Sequence, residues 1–243
     1  SNPTALHAEA IDSAIAFDCP IFIEKPVLSH PSQVQDLLPA IQRKRIITYT
    51  ACNLRFHPVV TYMRDLVKQT ELKVFEVNIY CGSLLSEWRV GTDYRKSYSA
   101  NREMGGGVDL DLIHELDYCC WIFGTPAKWF STRRKVSGLE INSPDSVSYI
   151  LEYEYFTANI VLNYFRRDSK RTVEFVTNNG TFTGDLLANS IMHNNEPLFT
   201  APSFTMADTY TMQMRYFLQS LRNGQKPMNS FEEAVDILKI AIQ

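Results

Sequence analysis

Gly105-Gly106-Gly107-Val108-Asp109-Leu110-Asp111-Leu112-Ile113-His114-Glu115-Leu116-Asp117 is the stretch on which the fold of this chain turns. Three glycines in a row let the backbone pass closer to another group than side chains permit. The residues that follow, up to Phe123, are apolar on almost every side and predict a buried helix. Buried helices seldom carry ionisable groups without partners or purpose, yet Asp111, His114 and Asp117 stand here at successive three-residue steps. Neighbours three apart on a helix lie about 60° from one another around its axis, so a carboxylate can meet the imidazole. That contact would orient the ring, fix its tautomer and raise its pKa, as acid–base chemistry requires. A core histidine among helix-capping aspartates would explain the same residues.

Upstream, Ile21-Phe22-Ile23 is a short apolar run of the kind found in buried parallel strands, and Glu24-Lys25-Pro26 follows it at once. Open α/β sheets gather ligand-binding groups beyond their strand tips, which makes Lys25 a second candidate catalytic residue, although a salt-bridged surface turn reads the same way. A second strand over 46–50 runs into Asn53-Leu54-Arg55-Phe56-His57-Pro58, whose Arg55 and His57 would face the same crevice. With helices expected over 5–17, 31–44 and 59–68, the order is helix, strand, helix, strand, helix, the second half of a doubly wound nucleotide-binding sheet.

From Leu72 the pattern changes, because residues 73–80 alternate partly between apolar and polar as a one-sided strand does. Two domains are therefore expected, a partial dinucleotide-binding domain over 1–70 and a β-sheet domain over 71–243. Trp88-Arg89 and Asp93-Tyr94-Arg95-Lys96-Ser97-Tyr98-Ser99 supply aromatic, guanidinium and hydroxyl groups suited to a hydroxylated or anionic small molecule, or else form an ordinary aromatic surface. Beyond the glycine-led helix, strands over 128–136, 146–155, 157–165, 172–178 and 180–185 make a large, mostly antiparallel sheet, with Asn179-Gly180 as a hairpin turn. Helices over 207–222 and 230–242 close the chain, so the expected fold class is α/β plus α+β.

Composition narrows the function. The 243 residues carry a net charge of −3, and neither sign collects into a long block, which argues against a nucleic-acid or membrane-surface footprint. Five cysteines, none at the two-residue gap of structural zinc sites, read as reduced thiols, so no metal centre is expected. No basic-plus-apolar leader or membrane-length apolar run is present, and a cytoplasmic protein is the default expectation.

Asn2-Pro3-Thr4 with His7, Glu24-Lys25-Pro26, the Asn53 to Pro58 segment, the Asp93 to Ser99 segment and the glycine-led helix occur in one order along the chain. In that order they resemble the Gfo/Idh/MocA oxidoreductases over essentially the whole chain. The resemblance implies a Rossmann domain for NAD or NADP and a second, open-sheet domain that completes the substrate site and builds a homodimer or homotetramer. It implies catalytic roles for Lys25, Asp111 and His114, with Asn2, Pro3, Thr4, His7 and Glu24 beside Lys25 at the cofactor. Arg55, Trp88, Tyr94, Arg95, Tyr98 and Asp117 would lie near the substrate.

The family's commoner spacing sets its Asp and His four apart, whereas Asp111 and His114 are three apart. Asp109, five positions from His114, is better placed as a cap, and Asp117 is an alternative partner for the ring. No Gly-x-Gly-x-x-Gly turn occurs in the sequence. The resemblance therefore implies an incomplete fragment of a longer enzyme, poor at holding dinucleotide and inactive by itself. For the parent it implies hydride transfer between NAD(P) and a hydroxyl or keto carbon of a sugar, cyclitol or sugar derivative. Glycoside cleavage through transient oxidation by NAD, and a non-catalytic sugar-binding or self-associating domain, are the alternatives.

Overall fold

A computed structural model describes residues 2–68 and 71–242. The first unit holds a two-stranded parallel sheet, β1 (Ile21–Ile23) beside β2 (Thr48–Thr50), in the register Ile21 to Thr48. Helix α1 (His7–Ile15) buries His7, Ile11 and Ile15, one residue per turn along a single stripe, and α2 (Val34–Lys44) buries Leu37 and Ile41. Arg45, in the left-handed region at φ 54°, closes α2 and turns the chain into β2. Helix α3 (Pro58–Val67) opens on Pro58 after His57, whose Nδ1 accepts the Val59 backbone N–H at 3.3 Å. The domain boundary expected at 70/71 falls at the edge of residues 69 and 70, outside the described residues.

The outer edge of β2 is closed from the far end of the chain. Thr50 N–H donates to the Asn229 carbonyl at 2.8 Å, the Asn229 side chain donates back to the Thr50 carbonyl at 2.8 Å, and Phe231 N–H donates to Thr48 Oγ1 at 2.9 Å. Helices α6 (Met206–Arg222) and α7 (Phe231–Ile242) flank this clasp. Phe217 of α6 stacks on Tyr49 at 5.6 Å and stands edge-on to Phe22 at 5.6 Å, so the C-terminal helices cover the small sheet.

The second unit is an eight-stranded sheet. Strand β3 (Val74–Gly82) is followed by β4 (Lys128–Arg134), β5 (Ser146–Glu152), β6 (Thr157–Asn163), β7 (Lys170–Thr177), β8 (Gly180–Asp185), β9 (Ser190–His193) and β10 (Glu196–Thr200). Their spatial order is β10-β9-β8-β7-β3-β6-β5-β4, antiparallel throughout except where β3 lies parallel to β6. Val77, Ile79, Tyr149, Ile160, Leu162, Val173 and Phe175 point from one face into the core, where period-two alternation places them. The other face carries Asn78, Asn159 and Glu174, joined by hydrogen bonds across the strands. Five expected strands and the hairpin are present, with Asn178 and Asn179 as the turn residues rather than Asn179 and Gly180. Strands β9 and β10 were not expected.

Between the units the glycine run leads into α4 (Val108–Asp111) and α5 (His114–Phe123), which are two helices and not one. Gly106 is required by crowding, because a Cβ there would run into the Tyr98 carbonyl oxygen and sit 2.7 Å from that of Ser99. Among the described residues, no helix is long and apolar enough to cross a membrane.

Candidate active site

Lys25 leaves the tip of β1 at a cis Lys25-Pro26 bond and donates from Nζ to the Asp111 backbone carbonyl at 2.6 Å. In an unbroken helix that carbonyl would accept the N–H of Glu115. The Glu115 N–H instead donates to the Leu112 carbonyl at 3.3 Å, and the helix is interrupted over residues 112 and 113. Lys25 thus occupies this acceptor at the point where α4 gives way to α5. His7 anchors the same turn, its Nδ1 donating to the Pro26 carbonyl at 2.8 Å.

The interruption changes the expected pairing of Asp111 with His114. Asp111 Oδ2 accepts instead from the Tyr164 hydroxyl at 2.5 Å, just past the end of β6. Burial and the nearby Asp111 charge push the Tyr164 hydroxyl well above its ordinary pKa, so it remains a donor. Tyr98 lies on the same carboxyl group, and burial followed by the Asp111 charge raises its pKa too. His114 is 8% exposed and its Nδ1 has no hydrogen-bond partner. Burial, then the charges of Lys25 and Arg171, hold its pKa well below the usual histidine value, opposite to the rise that an Asp partner would cause.

Asp117 is not the histidine's partner either. It receives two bonds from Arg55, Nε to Oδ2 at 2.8 Å and Nη2 to Oδ1 at 2.7 Å, and Arg55 Nη2 also donates to Asn229 Oδ1 at 3.2 Å. With Arg55 and Asp117 only 6% and 2% exposed, this pair fastens the clasp at β2 to α5 and does not face the crevice that the sequence suggested. Asp109 is not a cap, since Gly107 holds the N-cap position of α4; Asp109 lies 2.7 Å from Arg133 Nε. Arg95, on the exposed loop, is engaged by Asp93 at 2.8 Å and by Glu140 at 3.4 Å, and the Tyr94 hydroxyl accepts the Glu140 N–H at 3.2 Å.

Lys25, Asp111, Tyr98, Tyr164 and His114 are therefore the groups gathered at the junction, with Trp88 beside them, edge-on to Tyr164 at 5.2 Å. Next to the β1 tip, Asn2, His7, Ile21, Phe22, Ile23 and Glu24 line a cleft of about 220 Å³. Thr4 packs against the glycine run, where a Cβ on Gly105 would come 2.8 Å from Thr4 Cβ. Two charged residues of the junction escaped the sequence reading. Glu115 is fully buried and receives Arg171 through both oxygens, at 2.7 and 3.0 Å, which places a guanidinium close to His114. Glu115 adjoins His114 in an apolar helix, and that signal was legible; Tyr164 was marked only by lying at a strand end. Among the described residues no cluster of His, Cys, Asp and Glu is placed to hold a metal ion.

The fold is that of the NAD-binding oxidoreductases of Gfo/Idh/MocA type. Solved structures of this fold similar to the chain include UDP-N-acetylglucosamine 3-dehydrogenase GnnA from Acidithiobacillus ferrooxidans, with a TM-score of 0.80 and 16% identity over 100% of this chain and 74% of that one. Levoglucosan dehydrogenase in complex with NADH and levoglucosan gives 0.83 and 14% over 99% and 74%. The WlbA dehydrogenase from Bordetella pertussis, in complex with NADH and UDP-GlcNAcA, gives 0.80 and 14% over 100% and 74%. No protein-family model and no curated protein sequence matches the chain.

Proposed function

We propose that the chain forms the substrate half of an NAD(P)-dependent oxidoreductase that acts on a hydroxyl or keto carbon of a sugar, cyclitol or sugar derivative. The observation that carries this reading is the meeting of Lys25 with the Asp111 carbonyl, beside a buried histidine whose pKa is lowered. The similar structures that hold NADH with levoglucosan or UDP-GlcNAcA support the same cofactor and substrate class.

A hydroxyl carbon gives up hydride only as its oxygen loses a proton, and His114, neutral at pH 7, is the base that takes it. Lys25 supplies positive charge to the substrate oxygen as negative charge develops there. Asp111 acts differently from an orienting partner of His114: its carbonyl fixes the Lys25 ammonium, while Tyr164 fixes its carboxylate. The cleft by β1 joins polar Asn2, His7 and Glu24 to apolar Ile21 and Ile23, which suits a nicotinamide with its carboxamide. Asn2, Pro3, Thr4, His7, Glu24 and Lys25 are assigned to that half of the cofactor, which supplies the hydride acceptor when bound. The exposed sheet face is assigned to self-association, since Phe130 and Ile150, cross-strand neighbours there, are 58% and 46% exposed.

The test joins the chain to a segment carrying a pyrophosphate-binding glycine turn and follows reduced nicotinamide with a panel of sugars. His114→Ala is expected to lower kcat by about 10²–10⁴-fold. Near-native turnover in that variant would remove His114 as the base. Product formed without accumulation of reduced cofactor would identify transient oxidation in place of net dehydrogenation.

A further inference from the structure

Trp88 and Arg89 are consecutive, and each covers one of the two phenols that meet Asp111. Trp88 stands edge-on to Tyr164 at 5.2 Å, and the Arg89 guanidinium lies over the Tyr98 ring at 5.3 Å. A molecule whose reacting hydroxyl sits among Lys25, Asp111 and His114 therefore has its remainder directed toward an indole and a guanidinium. The other guanidinium groups named around the junction are already matched to carboxylates: Arg55 to Asp117, Arg171 to Glu115, Arg95 to Asp93 and Glu140, and Arg133 to Asp109. Arg89 is exposed and, among the described residues, makes no ion pair.

An unmatched guanidinium on an aromatic platform keeps its hydrogen-bond donors available and presents them in a planar fork, the geometry that grips a carboxylate or phosphate through two parallel bonds. Resting on the oxidoreductase reading above, we propose that Arg89 is a specificity-determining residue that binds an anionic substituent, a carboxylate or a phosphate, on the sugar substrate. The two residues most suggestive of anion binding in the sequence, Arg55 and Arg95, are not the ones that serve, because their charges are spent within the protein.

Calorimetric titration of the full chain, in the form used for the dehydrogenase assay, with glucuronate, glucose 1-phosphate and glucose tests the proposal. The wild-type protein is expected to bind at least one charged sugar more tightly than glucose. Arg89→Ala should weaken that charged ligand by about 10–100-fold and leave glucose unchanged, while Arg89→Lys, which keeps the charge without the fork, should fall between. Preference for glucuronate identifies a carboxylate as the group read, and preference for glucose 1-phosphate a phosphate. Equal affinity for charged and neutral sugars, no binding of any of them, or equal weakening of all of them in Arg89→Ala overturns the proposal. Failure of the oxidoreductase reading looks different: Arg89-dependent binding persists while no reduced cofactor or transformed sugar is formed.

Discussion

Tyr164 carries a single hydrogen bond on which the Asp111 carboxylate depends. Its hydroxyl donates to Asp111 Oδ2 at 2.5 Å with the ring fully buried, so Tyr164→Phe leaves a carboxylate oxygen short of a donor while keeping the ring's packing. The expected cost is about 1–3 kcal/mol of stability, read from urea unfolding. The freed carboxylate should also turn toward His114 and raise its pKa, which an NMR titration of the ring would show as a shift toward neutral pH. An unchanged titration would mean that Asp111 is held apart from the histidine by Tyr98 and the backbone without Tyr164. The sequence marked Asp111, His114 and Lys25 as a group, but it could not show that Lys25 meets a carbonyl and Tyr164 the carboxylate. Both partners lie far from Asp111 along the chain, and helical spacing is blind to them.

The break between α4 and α5 shows the same limit at the level of elements. Local pattern called for one buried helix, and burial is what the residues have; the interruption lies where a lysine 86 positions away takes the Asp111 carbonyl. Strands with clear alternation, β3 to β8, were legible from period two, whereas β9 and β10 are four and five residues long and the latter contains Pro197. The insertion of β3 between β6 and β7 could not be read from any segment, since register between distant strands is settled by packing. The glycine run was legible as a close approach, and the structure names what approaches. Gly106→Ala should drive a methyl group into the Tyr98 and Ser99 carbonyls and cost about 1–3 kcal/mol or more, with a lowered Tm as the readout. Since Gly106 lies against the backbone of Tyr98, the same variant should disturb substrate affinity as well.

Across the whole molecule, two buried histidines make stability depend on pH. Burial, followed by the charge of Arg171, pushes His57 down to about 4, and His114 is lowered by burial and by Lys25 and Arg171. Between the unfolded value of about 6.5 and these folded values the unfolded chain binds more protons, so stability is full above that window and falls as pH drops through it. His57 alone should cost about 2 kcal/mol on going from pH 7 to pH 5. Urea midpoints at the two pH values measure this, and His57→Asn, which can still cap α3, should make the difference smaller by that amount. A variant with the same acid sensitivity as wild type would show that His57 gains its proton without unfolding.

The clasp at Asn229 also has a consequence for how the protein is made. Strand β2 leaves the ribosome with its outer edge open, and the residues that close it follow 179 to 183 positions later. At the usual pace of about 5–20 residues per second, the nascent half-sheet waits some 10–40 s for its lock. During synthesis the β2 edge is a template for unwanted strand pairing, a hazard that ends once Asn229 and Phe231 arrive to cover it.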